Sequence, residues 1–361
     1  MKRLQVTRLD EIDDFRNLKA AWNRLLVQSE SRNIFLTWEW LYAWWEVFGG
    51  DNRLWLLTVK DDDELIGIAP LMISVYRKAF FKLRVLRNIG TPQSDIGGVV
   101  ASREDAVIPA IAAYLDAHRQ EWDILEMNIL PKECFESEFL RMRFTDKSDL
   151  IIRHEEKHFY LPLEGNWDEY LKGLSKNMRR NLRRRLKRAK EQGDLRYRRY
   201  AGEELHWAHF RKIFEINAKG NFPAIYRVEE NKEFLRKIYE LMEGKWLQVE
   251  MLYLNDKAVA FQCGFLFDKK YQDWRGSYDK KYETLGTGKL LMMFSLENAY
   301  KKGVREVDFL RGTHAYKADW KPKTRTFVDL RIFQKRSKEA LAAYFWLKEL
   351  KPRLKPKGNK K

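Results

Sequence analysis

The segment "VDFLRGTHAYKADW", residues 307–320, opens like a buried strand, breaks at Gly312 and at once presents His314, Tyr316, Lys317 and Trp320. Strand ends that spill polar and aromatic side chains into a loop are where a rigid scaffold commonly places chemistry. Tyr316 and Lys317 are candidate catalytic residues on that ground. His314 is another, since an ordinary histidine titrates near neutral pH; the competing reading is an incidental loop residue. Asp308 alternates with apolar neighbours, as either a structural anchor or an acid. Asp273 and Asp279, further upstream, are also candidate bases, and the choice among these groups stays open.

Just upstream lies "KYETLGTGK", residues 281–289, with Gly286 and Gly288 between a strand and a helix. Glycines there let bare backbone N–H groups approach an anion where the helix dipole favours one. Leu285, Gly286, Thr287, Gly288 and Lys289 therefore form a candidate anion cradle. It is not a Walker A loop, because Leu290 follows Lys289, nor a dinucleotide fingerprint, because the third glycine is missing. A tight turn without a ligand is the alternative. In the first half, "TPQSDIGG" places Asp95 in a loop whose Gly97 and Gly98 permit close approach of a ligand.

The net charge of +17 is concentrated. Residues 176–190, "KNMRRNLRRRLKRAK", hold nine Lys or Arg and no acid, and the tail 351–361 holds six more, so these two patches supply 15 of the 17 charges. Leu171, Leu174, Met178, Leu182, Leu186 and Ala189 fall at steps of three and four and make one apolar stripe. The arginines, Arg183 among them, take the remaining circumference. A solvated face competes with three anionic partners: nucleic acid, a peripheral membrane surface, or a phosphorylated acceptor or carrier. No aromatic edges the stripe as a membrane helix would want, and no docking motif for base recognition is present. The tail, rich in Pro, Gly and Lys, is expected to be disordered.

These residues need a scaffold. At 361 residues, 45% apolar and 34% charged, the chain has material for two packed domains. The first half reads helix (10–29), helix (38–48, with Thr37 as N-cap), hairpin, strand, helix (103–120), strand. Trp38, Trp40, Trp44 and Trp45 within one short helix read as core rather than a sugar platform. The second half reads helix (167–192), helix (203–218), a third helix, then the hairpin "WLQVEMLYLNDKAVAFQCGFLFD", a strand, the glycine turn, a helix (288–302) and a strand. Two copies of one α/β plan is the economical reading, with domains at 1–155 and 156–350, a linker near 145–160 and the tail beyond. Two cysteines give neither a disulfide framework nor zinc spacing. No secretory signal and no membrane-spanning run is seen, so the cytoplasm is the expected place.

The order hairpin, strand, x-x-Gly-x-Gly turn, helix, strand and tyrosine-bearing segment resembles the Gcn5-related N-acyltransferases. Within them the chain is most similar to the cellulose-biosynthesis (CelD-type) acetyltransferases, which are related to the Fem peptidoglycan aminoacyltransferases. The residues that carry the likeness are "NIFLTWEWLYAWWEVFG", "LIGIAPLMI", "LSKNMRRNLRRRLKRAKEQG", "LGTGKLLM" and "VDFLRGTHAYKADW", spanning about residues 30–335. The resemblance implies two tandem acyltransferase-like domains (α/β, or α+β), each a mixed, largely antiparallel sheet flanked by helices. It implies an acyl-coenzyme A cosubstrate with its pyrophosphate at residues 285–289, and no metal. Tyr316 would protonate the departing thiolate, Lys317 would stabilise a phosphate or developing charge, and the first domain, with Asp95, would serve the acceptor. An Arg-rich helix recurs in the family at residues 176–190, which favours a phosphate-bearing substrate at Arg183. One departure is Glu283, where Gln or Arg is usual, which leaves the pyrophosphate to the backbone. The expected activity is N-acetyl or N-acyl transfer to a glycan or cell-envelope acceptor. Two alternatives are a Fem-like enzyme that uses aminoacyl-tRNA, the one reading with a nucleic-acid partner, and a non-enzymatic polyanion binder.

Overall fold

The computed structural model describes residues 4–78, 81–145, 149–221 and 223–350. The basic tail, 351–361, lies outside the described residues. In chain order the strands are β1 (Gln5–Leu9), β2 (Arg53–Asp61), β3 (Glu64–Lys78), β4 (Phe81–Asn88), β5 (Val100–Ala101), β6 (Ile124–Pro131) and β7 (Leu150–Pro162). They continue as β8 (Leu195–Ala201), β9 (Leu247–Leu254), β10 (Lys257–Phe267), β11 (Lys270–Tyr278), β12 (Glu306–Asp308) and β13 (Lys323–Phe333).

Two compact units form. The first takes the chain up to Glu156 and again from Thr326; the second is Lys157–Arg325. Where the sequence reading closes the second domain at residue 350, the chain has already returned to the first unit at Thr326, because Phe327–Phe333 pairs antiparallel with β6. The chain passes from the first unit to the second at Glu156–Lys157, inside the expected stretch 145–160, but that stretch is largely a strand, Leu150–Pro162. Its charges are paired along the sheet, Arg153 with Glu138 and Glu155 with Lys132, so charge there does not signal an unpacked segment.

In the first unit the strand order is β1-β2-β3-β4-β6-β13, with β5 on β3. In the second it is β8-β9-β10-β11-β12, with the last part of β7 beside β12. Each sheet is antiparallel except at one place, β4 with β6 and β11 with β12, where a helix carries the chain over between parallel neighbours. Each order is that of a hairpin, a third strand, a helix and a parallel fourth strand. The repeated plan read from the sequence is therefore present.

Local signals explain the elements that matter for the site. The β9–β10 hairpin turns at Asn255 and Asp256, both with positive φ (49° and 62°), a conformation that Asn and Asp tolerate. Thr37 caps Trp38–Phe48 by accepting the Trp40 N–H. Trp38, Trp40 and Trp44 are buried, and their indole N–H groups bond to Phe15 O, Ser94 Oγ and Gln93 Oε1. All three are core, and Trp40 and Trp44 tie down the loop that carries Asp95. In the second unit the helices Lys176–Glu191 and Thr287–Lys301 share a core with Tyr271, Val307 and Phe309. The apolar stripe of the first is seated there through Met178, Leu182 and Ala189. Helices Trp207–Ala218 and Glu229–Met242 pack elsewhere on the sheet, where Phe234 meets Trp274 edge-on. Among the described residues no helix is long and apolar enough to cross a membrane. Nor do these residues hold a group of three or more His, Cys, Asp or Glu that could bind a metal.

Ser175 caps the basic helix, its Oγ accepting the Met178 N–H at 3.1 Å. Ser175→Ala should lower unfolding stability by about 1 kcal/mol. Urea denaturation checks this, and an unchanged midpoint would mean the cap contributes nothing.

Candidate active site

The second unit's sheet contains a fork. β11 pairs with β12 only through Lys270, Tyr271 and Gln272, opposite Glu306, Val307 and Asp308. β11 then continues to Tyr278, while the other chain turns away through Leu310 (φ 54°) and Gly312 (φ 88°) into a short helix, Ala315–Ala318. Just there β11 is bulged. Its register against β10 passes from Cys263↔Arg275 to Phe265↔Gln272, so Asp273 and Trp274 face the single residue Gly264. A bulge re-aims a side chain, and it turns Asp273 toward the face that carries Gln262. Only glycine fits at 264, since a Cβ would collide with Gln272 O and sit 2.8 Å from the Tyr271 hydroxyl.

Burial pushes the Asp273 carboxyl up to about 6, while the charge of Lys317 and a hydrogen bond from Gln262 pull the other way. Its Oδ1 is buried without a hydrogen-bond partner. Tyr316 is half-exposed; desolvation, then the charge of Asp273, raise its phenol above its ordinary value. Tyr316 and Lys317 are thus within electrostatic reach of Asp273.

Lys317 is buried, and its ammonium donates to Phe309 O (2.7 Å), Arg311 O (2.8 Å) and Gly312 O (3.2 Å). It holds the turn that opens the fork. Asp308 is directed elsewhere. It alternates with Val307 and Phe309 of the core, accepts the Leu310 N–H at 2.8 Å and lies 3.7 Å from Arg325. Burial raises its carboxyl to about 6, against the pull of Arg325. It is an anchor for the same turn. His314 is exposed at the start of the short helix. Asp279 is buried, caps Lys281 N–H and pairs with Lys257.

The glycine turn is a left-handed hinge. Gly286 (φ 66°, ψ 44°) ends the 3-10 turn Lys280–Leu285 and begins Thr287–Lys301 without a side-chain cap. Its N–H goes to Glu283 O at 2.9 Å. Helix geometry leaves the Thr287, Gly288 and Lys289 amides without partners inside the helix. A Cβ at Gly286 would run into the Arg185 guanidinium, which lies directly over the turn with its Nε bonded to Asn181 Oδ1 at 2.8 Å. Gly288 admits the Tyr278 ring, 2.9 Å from where its Cβ would be. Lys289 is paired with Asp319 at 2.6 Å, and Glu283 accepts the Tyr278 hydroxyl at 3.2 Å. Arg183 is exposed. The arginine brought to the turn is Arg185, which charge pattern alone did not single out from its neighbours.

Residues 176–318 match the family model described as an acetyltransferase (GNAT) domain. The matched residues all lie within the second unit. The match spans the basic helix, the fork, the glycine turn and Tyr316. As a fold, the chain is similar to FemX, with TM-score 0.60 at 11% identity over 90% of this chain and 96% of that one. It is also similar to the C-terminal domain (DUF2156) of a putative lysylphosphatidylglycerol synthetase from Agrobacterium fabrum, with TM-score 0.54 at 11% identity over 92% and 97%. A tandem GNAT protein from the clavulanic acid biosynthesis pathway gives 0.51 at 11% over 91% and 98%. These likenesses are of fold, and they bear out the expected mixed α/β class. No curated protein matches the sequence.

The first unit repeats the strand plan of the second but fills its fork. β4 and β6 pair through Val85–Arg87 and Ile124–Glu126, and the loop after β4 then closes on β6. The Gly97 N–H bonds to Ile129 O at 3.1 Å, so close that a Cβ there would strike Asn128 O. The following helix, Glu104–Ala117, begins with Glu104 and Asp105 rather than bare glycine, and carboxylates there complement the dipole from within. Asp95 is half-buried in this loop. Beside it, Glu136 is buried, with Oε2 accepting the Val99 N–H at 3.1 Å and Oε1 unpartnered. Burial pushes Glu136 to about 8 from an ordinary 4.5, opposed by the Val99 N–H and reinforced by Glu104.

A stability prediction follows from Glu136. In the fold it keeps its proton to about pH 8, whereas the unfolded chain gives it up near 4.5. Between those values unfolding releases a proton, so stability falls as pH rises through that window. Glu136→Gln should therefore match the parent at pH 4 and melt higher at pH 9, by thermal denaturation. Equal melting at pH 9 would contradict a buried neutral acid.

Proposed function

We propose that the protein is an acyl-coenzyme A-dependent acyltransferase whose reaction takes place at the fork of the second unit. The observation that carries this reading is the bulge-presented Asp273 carboxyl, bonded by Gln262 but with Oδ1 unpartnered, whose charge acts on the Tyr316 phenol, within the same acetyltransferase-matching residues as the Gly286 turn. The amides of Thr287, Gly288 and Lys289 with the Arg185 guanidinium form a donor set suited to a diphosphate. Arg185 takes the place of the side-chain help that Glu283 does not give.

The chemistry balances on these groups. The lone pair of an acceptor amine forms a bond to the thioester carbonyl carbon, and its surplus proton passes to Asp273. The C–S bond breaks with its electrons on sulfur, and the thiolate takes the Tyr316 proton. Asp273 returns a proton to Tyr316, leaving an amide and a free thiol. With its carboxyl at about 6, Asp273 is ionised as a base above that pH, while the raised phenol keeps its proton for the leaving group.

The acceptor of this reading is a glycan or cell-envelope amine, with Asp95 and Arg183 as proposed contacts and His314 and Asp308 outside the proton path. A cytoplasmic place suits a coenzyme A donor. One observation favours a second reading, with aminoacyl-tRNA as donor: Arg183, Arg184, Lys187 and Arg188 are exposed on the helix that brings Arg185 to the turn. RNase treatment distinguishes the two, since only a tRNA-dependent reaction disappears with it.

Tyr316→Phe should lower kcat by about a hundredfold or more while the KM for the thioester stays within about twofold. A raised KM with unchanged kcat would remove Tyr316 from the chemistry. Arg185→Gln should weaken acetyl-coenzyme A binding by about tenfold in calorimetry; unchanged binding would place the donor elsewhere. Activity should fall as pH drops through about 6, the pKa of Asp273, and Asp273→Asn should abolish that limb along with most of the rate.

A further inference from the structure

Behind Asp273 the second unit's sheet carries a buried polar row. Gln262 of β10 bonds to Asp273, and Glu250 of β9 is the cross-strand partner of Gln262. Strands lie about 4.8 Å apart, so the row runs roughly 10 Å from the fork beneath the helix Thr287–Lys301, whose Met292 and Ser295 touch it. Glu250, Gln262 and Tyr271 are 1%, 5% and 2% exposed. Otherwise apolar strands do not bury such groups without cause.

The pairing in this row is lopsided. Glu250 Oε1 accepts the Tyr197 hydroxyl at 2.8 Å, but Glu250 Oε2, Gln262 Oε1 and Asp273 Oδ1 have no hydrogen-bond partner, nor does the Tyr271 hydroxyl. Tyr271 is held close to both carboxylates, whose charges act on its phenol after burial itself. Glu250 also accepts from Ser295 and lies within reach of the charge of Arg199, so what the row leaves over is three acceptor oxygens and one hydroxyl. Leaving each unpaired costs about 1–3 kcal/mol. The missing partner has several N–H donors and, facing two carboxyls, a positive charge.

Resting on the donor-site reading above, we infer that the acyl group accepted by this fork ends in an ammonium, which lodges among Asp273, Gln262, Glu250 and Tyr271. A plain alkanoyl chain in the same place would bury the three oxygens against methylene and leave them unpaired. The ammonium of Lys317 acts on Asp273 by its charge while its hydrogen bonds go to the carbonyls of residues 309, 311 and 312. Burial holds Glu250 at about 7 and Asp273 at about 6. A cation arriving between them favours the ionised carboxylates, so binding near neutral pH or just below it releases protons.

The test compares β-alanyl-coenzyme A with butyryl-coenzyme A, which have the same chain length and differ in a terminal ammonium or methyl. Calorimetry should show the β-alanyl thioester binding about tenfold tighter or more. In two buffers of different ionisation enthalpy, proton release should accompany the β-alanyl thioester alone. Glu250→Gln should shrink the preference to about twofold. Tyr271→Phe, which removes a hydroxyl that no protein group bonds, keeps the fold and should lower the preference severalfold. Equal affinities, as a row holding only water would give, or tighter butyryl binding, overturn the inference and leave the donor site standing. If neither thioester binds, the donor site falls and the inference with it.

Discussion

The buried ammonium of Lys317 is the interaction on which the candidate site depends. A parallel strand beside β11 could continue past Asp308 only if the backbone groups after it were free to pair. They are spent otherwise: Asp308 accepts the Leu310 N–H, and Lys317 takes the carbonyls of Phe309, Arg311 and Gly312. β12 therefore stops after three residues, and β11 runs on past it, carrying Asp273. Burying a lysine is costly unless its donors are satisfied. Here three carbonyls satisfy them in return for holding an irregular turn in one shape.

The two units show how one plan yields a site in one place and packing in another. Both have a third strand, a helix and a parallel fourth strand. The first unit spends its fork on its own loop, with the Gly97 amide bonded to Ile129 and Trp40 and Trp44 gripping the neighbouring Ser94 and Gln93. Its crossover helix starts with Glu104 and Asp105, which already meet the positive end of the dipole. The second unit has a left-handed glycine at the matching place, a guanidinium above it and no carboxylate in the first helical turn. The anion cradle proposed for the second unit rests on those few side chains, not on the fold.

Much of this was legible in the sequence. The alternation of hairpins and helices gave the tandem plan, Thr37 marked a helix start, and the glycine pair marked the turn. What was not legible depended on register or on long-range pairing. The return of β13 to the first unit is a pairing across nearly two hundred residues, which no local period records. Among the arginines of the basic helix, the one over Gly286 is set by helix rotation against the turn, so Arg183 and Arg185 look alike in the sequence. Asp308 and Asp273 likewise look alike as acids on apolar strands. Strand alternation sends the first toward Arg325, and a single extra residue in β11 sends the second to the fork. The polar row had a visible signal in Glu250 and Gln262 inside "WLQVEMLYL" and "KAVAFQCGFLF", where full burial leaves polar side chains without an ordinary reason.

The charge distribution also makes sense at this scale. A net +17 suggests a polyanion partner, but the interior of the second unit has the opposite character. Glu250 and Asp273 sit in the polar row, where the charge of Arg199 reaches the first and that of Lys317, held by backbone carbonyls, reaches the second. Arg185 stands at the boundary, where the positive surface of its helix meets the amides of the turn. A ligand that is anionic at one end and polar or cationic at the other would therefore be oriented before any chemistry. Its phosphates would be held at Gly286 and its far end drawn under the helix Thr287–Lys301, with the bond to be broken between them at Tyr316. Orientation of this kind costs the protein nothing further at the moment of reaction, because both charge distributions are already fixed by the fold.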